Sequence, residues 1–168
     1  MDTGRVLLPL AAIVMALGIV ACGDSDKSFE ASKYAGTYEG TWTNSATGAS
    51  GPVTIAITID EAARKASLTL DFDGNYLGLG DPPAATLEGT FDDERAIAKG
   101  ESDLFGEYNV TIEADGEIIG VMENLAGGLV PRLTYTGELT ADKLDADYTV
   151  SLKDGATVNS TLRMTKQK

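Results

Sequence analysis

The chain contains no histidine, a single cysteine, Cys22, and only five prolines in 168 residues. Without histidine there is no imidazole axial ligand for haem, no His/Cys zinc site and no Ser-His-Asp triad, and one cysteine cannot close a disulfide within the chain. Basic residues are also scarce: 13 Lys and Arg stand against 26 Asp and Glu, a formal net charge of −13. Such a chain has little with which to release counterions from phosphates, so nucleic acid is excluded as a partner, and electrostatic adhesion to anionic lipid is disfavoured.

What is present begins with an N-terminal segment unlike the rest. A short head, 1–5, precedes an apolar run of 16 residues, 6–21, interrupted by Pro9 and Gly18 and ending at Cys22. Sixteen residues are short for a membrane span, which needs about 20. The sequence Ile19-Val20-Ala21-Cys22, followed by polar Gly23-Asp24-Ser25-Asp26-Lys27, resembles the lipobox of bacterial lipoproteins. The resemblance implies that residues 1–21 are a removable signal peptide, that Cys22 is the lipid attachment site, and that the membrane is a partner through that anchor. Several acyl chains suffice for stable anchoring. In that family a residue other than Asp after the cysteine goes with delivery to the outer membrane, and here it is Gly23; the expected location is the cell envelope, and the outer membrane in a Gram-negative organism. Residues 22–33, polar and poor in helix formers, are expected to form a flexible tether.

From Tyr34 onward one pattern repeats. Val53, Ile55, Ile57 and Ile59 alternate with Thr54, Ala56, Thr58 and Asp60, and Leu144, Ala146, Tyr148, Val150 and Leu152 with Asp145, Asp147, Thr149 and Ser151. A period of two with one polar face marks antiparallel strands wetted on one side. About ten such runs are separated by turn signals such as Asp115-Gly116 and Asp154-Gly155. Regular spacing between sequential neighbours predicts an all-β domain over 34–168, an antiparallel up-and-down β-barrel of about 8–10 strands, closed because closure removes both edges. The inward set includes Tyr38, Trp42, Leu70, Phe72, Tyr108, Tyr135, Tyr148 and Leu152, and it contains no Asp, Glu, Lys or Arg. With no inward group to shift its pKa, no enzyme, cofactor or metal is expected; Asp71-Phe72-Asp73-Gly74-Asn75 opens like a calcium loop, but Tyr76 and Pro82 replace the glycine and glutamate that such a loop requires.

Strand parity sorts the connections into two ends. Those at 43–51, 74–84, 101–105 and 124–130 are long, whereas those at 61–64, 93–94, 115–116 and 140–142 are tight. One end is therefore expected to be closed by turns and the other to carry the loops that bear function. The loops hold apolar residues that the strand pattern does not use, among them Tyr76, Leu77, Leu79, Leu104, Phe105, Leu125 and Leu129. These either line an apolar entrance or fold inward to finish the core.

The opening strand, Tyr34-Ala35-Gly36-Thr37-Tyr38-Glu39-Gly40-Thr41-Trp42, resembles the G-x-W strand of lipocalins and related calycin barrels in Gly40 and Trp42. In that family an arginine of the last strand crosses the tryptophan at the barrel base, and Arg163 is the residue available. Parity, however, places Trp42 toward the loop end and Arg163 outward. The resemblance implies a barrel with a small-ligand pocket. The expected function is a monomeric, non-enzymatic envelope lipoprotein binding a small apolar or amphipathic ligand through Tyr38, Trp42, Leu70, Phe72, Tyr76, Leu79, Phe105, Tyr108, Tyr135 and Tyr148. The alternative is a packed barrel serving as a structural or protein-interaction module at the cell surface.

Overall fold

The computed structural model describes residues 28–168; the expected signal peptide, Cys22 and residues 22–27 of the expected tether lie outside them. Ten strands follow one another: β1 (Gly36–Asn44), β2 (Ser50–Asp60), β3 (Lys65–Phe72), β4 (Ala85–Phe91), β5 (Arg95–Ser102), β6 (Gly106–Glu113), β7 (Glu117–Asn124), β8 (Val130–Leu139), β9 (Lys143–Ser151) and β10 (Thr157–Lys166). Each pairs antiparallel with its neighbour, and β1 pairs with β10 as well as β2, so the sheet is a closed up-and-down barrel. The alternating pattern produces this directly: Val53, Ile55 and Ile57 are buried inward, while Thr54, Thr58 and Asp60 on the same strand face outward. The wall is therefore polar outside and apolar inside, the reverse of a membrane-spanning barrel.

The ladder is uneven. Nine of the ten neighbouring pairs share six to nine residue pairs. The exception is β4 with β5, joined only through Gly89–Ala98, Thr90–Ile97 and Phe91–Ala96. Beyond that point the two strands diverge toward the loop end, and the Glu88 amide donates to the Tyr108 hydroxyl at 3.2 Å instead of to a β5 carbonyl.

At the lower end, where the turns are tight, Asp92 Oδ1 accepts from the amides of Glu94 and Arg95 at 2.8 and 2.9 Å. Those backbone bonds hold its carboxyl below the usual range. This end is not closed by turns alone. Residues 29–33, expected to be flexible, are packed against it: Phe29 and Ala31 are buried, Ala31–Tyr34 forms a 3-10 turn, and the Phe29 amide donates to the Asp93 carbonyl at 2.8 Å. Phe29 lies 5.5 Å from the Tyr34 ring and 6.2 Å from that of Phe91, and Lys166 Nζ donates to the Lys33 carbonyl at 3.0 Å. A polar composition concealed an aromatic anchor, Phe29. Leu152 is the other correction, since it is exposed at 37 %. The strand β9 ends at Ser151, and Leu152 already belongs to the hairpin turn, its amide donating to the Ala156 carbonyl at 2.8 Å.

Tyr34 carries a buried hydroxyl with no hydrogen-bond partner among the described residues. Such a group costs the desolvation of its polar atom without return. Tyr34→Phe is therefore expected to leave the unfolding free energy unchanged or to raise it. Phe29→Ala, which removes the ring between Tyr34 and Phe91, is expected to lower it by about 3 kcal/mol; urea denaturation of the two variants checks both outcomes.

Candidate functional site

The inward faces leave an apolar cavity of about 80 Å³, the upper one, which reaches from Phe72 and Tyr76 at the loop end down to Leu139 and Leu144, and a second of about 30 Å³ against Phe29 and Tyr34 at the lower end. The two abut, sharing walls at Ile57, Leu68, Leu87, Val110, Ile112 and Leu139. Of the expected ligand-binding residues, Leu70, Phe72, Tyr76, Phe105, Tyr135 and Tyr148 line the upper cavity. Four do not. Tyr38 lies at the lower end, its hydroxyl donating toward the carbonyls of Tyr34 and Thr140 at 3.1 and 3.2 Å. Tyr108 is inward but lies against Gly100 at the β4–β5 divergence, away from the cavity, and Leu79 is half-buried in the 73–84 loop. Trp42 stands at the loop end, where its Nε1 donates to the Asp73 carbonyl at 2.9 Å.

Two of these tyrosines explain glycines that interrupt their strands. Gly120 pairs with Tyr135 and Gly100 with Tyr108 across the ladder, and in each case the tyrosine covers the place a Cβ would occupy. A side chain at either glycine would drive the aromatic ring out of its position, which is the pairing used to brace glycines in curved sheets.

The loops at the upper end fold inward. Tyr76, Leu104, Phe105, Leu125 and Val130 are buried, Leu77 and Leu79 are half-buried, and Leu129 is exposed at 60 %. Of the two readings of these loops, the inward plug is the one realised for all but Leu129. Tyr76, in the 3-10 turn Tyr76–Gly78, is the centre of the plug: its ring stacks on Phe72 at 4.0 Å and 18°, meets Trp42 edge-on at 5.5 Å and lies 6.5 Å from Tyr148. Phe105 stands edge-on to Phe72 at 6.1 Å. Tyr148 brings a second hydroxyl to the same region, and Ser160 is the single buried polar side chain outside the tyrosines among the described residues.

No Asp, Glu, Lys or Arg lines either cavity. The interior thus has hydroxyl groups to offer and no charge. Burial pushes the Tyr38 hydroxyl up to about 12, with Tyr34 and Asp142 adding to the shift. Burial likewise raises Tyr135 and Tyr148, and burial followed by the neighbouring Tyr148 raises Tyr76 well above the usual range.

Sequence reasoning missed the inward small residues Ala96, Ala98 and Ser160, whose side chains are too weakly hydrophobic to carry a periodic signal, and the anchors Phe29 and Tyr34, which lie outside any strand. Arg163 is outward: it donates to Asp147 Oδ1 at 2.5 Å and to the Ala146 carbonyl at 2.6 Å, and it does not cross Trp42. The lipocalin-type arginine–tryptophan contact is therefore not made by the one arginine of β10.

With the barrel and its cavity in hand, comparison with known proteins places the chain by fold. It is similar to a β-barrel protein of unknown function. One such neighbour is a crystal structure of a protein of unknown function from the DUF3598 family of Nostoc punctiforme, with a TM-score of 0.58 and 14% identity over 84% of this chain. This chain spans 50% of that one. No protein-family model and no curated protein matches the chain.

The raised tyrosines give the fold an alkaline limit. A tyrosine that holds its proton more tightly folded than unfolded contributes stability that is fully present below the unfolded value of about 10 and is lost as pH rises through the folded one. For Tyr38 that window runs from about 10 to about 12. The barrel is expected to lose stability steeply across it and to show cooperative release of its tyrosyl protons, which a pH titration followed by tyrosinate absorbance and far-UV circular dichroism checks.

Proposed function

We propose that the protein is a non-enzymatic cell-envelope lipoprotein, anchored through acyl chains on Cys22, whose lipocalin-like barrel binds a small neutral molecule with an apolar body. The observation that carries the binding reading is the cavity of about 80 Å³ walled by Leu70, Leu133, Tyr135 and Tyr148. Well-packed interiors leave few voids larger than a water molecule, and an apolar cavity stays dry and takes apolar guests. A charged ligand is disfavoured, because no counter-charge lines the space and an unpaired buried ion is costly. The anchoring reading rests on the lipobox and on Gly23, which favours the outer membrane where the organism has one. Because Phe29 docks at the lower end, the chain from Cys22 would leave from there, and the upper loops would face away from the membrane. The protein acts as a monomer in this reading.

The second reading, a packed barrel serving as an interaction module, draws support from the plugs at both ends and from a cavity smaller than the roughly 150 Å³ that accepts benzene. The two differ in what filling the cavity does. Ala146 lines the cavity, so Ala146→Leu is expected to raise the melting temperature. In the wild type, xenon under pressure should raise the melting temperature by binding the folded state, and in Ala146→Leu it should not. Equal responses in the two proteins, or none in the wild type, would contradict the binding reading.

A further inference from the structure

The loops over the upper end are not equally held. The Phe105 amide donates to Ser102 Oγ at 2.9 Å and the Ala126 amide to the Leu104 carbonyl at 2.8 Å, which ties 103–105 and 125–129 together. The backbone of 74–84 makes its hydrogen bonds within the loop: Tyr76 to the Gly74 carbonyl, Leu79 to the Tyr76 carbonyl, Gly74 to Asp81 Oδ1 and Gly80 to Asn75 Oδ1. Its ties to the barrel lie at its base, where the Asp73 amide donates to the Pro52 carbonyl and Trp42 donates to the Asp73 carbonyl. Beyond the base, the loop is held by the inward side chain of Tyr76 and by the buried Pro82, with Leu77 and Leu79 half-buried beside them. Leu77 takes φ +53°, a left-handed conformation that costs a residue with a side chain about 1 kcal/mol or more. On its far side the loop runs into the stretch of β4 that is not bonded to β5. This loop can therefore move as a unit without breaking a strand pair.

We propose that Tyr76 occupies the site of a ligand: the 74–84 loop swings outward, and a neutral planar aromatic molecule bearing one hydroxyl takes the place of its phenol ring against Phe72 and Tyr148. The proposal rests on the reading that the interior binds a small apolar molecule, and it adds the ligand class and the route. Phe72 supplies the stacking face and Trp42 an edge contact, the geometries that aromatic pairs favour. Tyr148, whose ring lies 6.5 Å from that of Tyr76, offers a neutral hydroxyl beside the site that can both donate to and accept from a ligand hydroxyl. The adjoining cavity of about 80 Å³ gives room for a substituent on the ring. Tethered in place, Tyr76 competes as an internal ligand at an effective concentration of order millimolar, so a free phenol binds the wild type weakly and a variant without the ring more tightly.

The probe is p-cresol, the tyrosine side chain as a free molecule, titrated into the full-length protein and its Tyr76→Ala variant. Trp42, the only tryptophan, reports through its fluorescence because its ring lies 5.5 Å from that of Tyr76. Saturable binding is expected in both, at least tenfold tighter in Tyr76→Ala, with toluene binding that variant at least tenfold more weakly than p-cresol. In the wild type, p-cresol should speed hydrogen exchange at amides 74–80 and leave β1–β3 unchanged. A folded Tyr76→Ala that binds p-cresol no better than the wild type overturns the proposal, and toluene binding as tightly as p-cresol overturns the ligand class. If Tyr76→Ala does not fold, the exchange experiment decides: faster exchange at 74–80 supports the proposal, and unchanged or slower exchange refutes it. The xenon response that Ala146→Leu abolishes separates the two levels. Its survival beside a failed p-cresol test removes the displaceable tyrosine and leaves interior binding standing, whereas its absence removes interior binding itself.

Discussion

The width of the barrel is the constraint on which the rest depends. Eight strands enclose a space that inward side chains can just fill, and diameter grows with strand number. Ten strands close here, so the ring of inward residues from the strands does not reach across the middle. The missing volume is supplied from outside the sheet. Phe29 and Tyr34 enter from below, and Tyr76, Phe105 and Leu125 from above. The cavities of about 80 and 30 Å³ are what those two plugs leave between them. The same width explains why the upper loops are long and apolar: they complete the core, and exposed apolar loops would otherwise be a liability for solubility.

Much of this fold was legible because its signal is local and repeated. The Val53-to-Ile59 alternation marks a strand, its face and its polar outer side at once, and ten such runs with tight turns at every second connection lead to an up-and-down barrel with two unlike ends. The pattern weakened where side chains are small. Ala96, Ala98 and Gly100 make β5 a faint strand, and that is where the ladder to β4 shortens to three pairs. It was silent about docking. Phe29 in a polar stretch and Tyr76 among glycines have no periodic partners, and their burial follows from the space at each barrel end, a property of the closed ring and not of any segment. Six of the ten expected ligand-binding residues converge on one cavity because inward parity and proximity to the loop end together select the upper interior. Tyr38 and Tyr108 share the inward parity, but a lower-end carbonyl pair and the Glu88 amide take up their hydroxyls.

The distribution of polarity follows the same division. The chain has a net charge of −13, and among the described residues no ionic group is buried: they stand on the outside, where water screens them. The interior keeps only hydroxyls. Tyrosine suits that interior because it combines large apolar area with one neutral polar atom, and Gly100 and Gly120 make room for two such rings by lacking a Cβ. An interior of this kind discriminates by shape and by neutral hydrogen bonding, and it rejects ions on the cost of desolvation alone.

The central claim, that the two plugs enclose a dry apolar space, is tested most directly by a crystal pressurised with xenon. The account predicts a xenon atom in the upper half of the barrel, in contact with Leu70, Leu133 and Tyr148 and below the ring of Tyr76. Xenon-free density there, with water or repacked side chains filling the region, would contradict it.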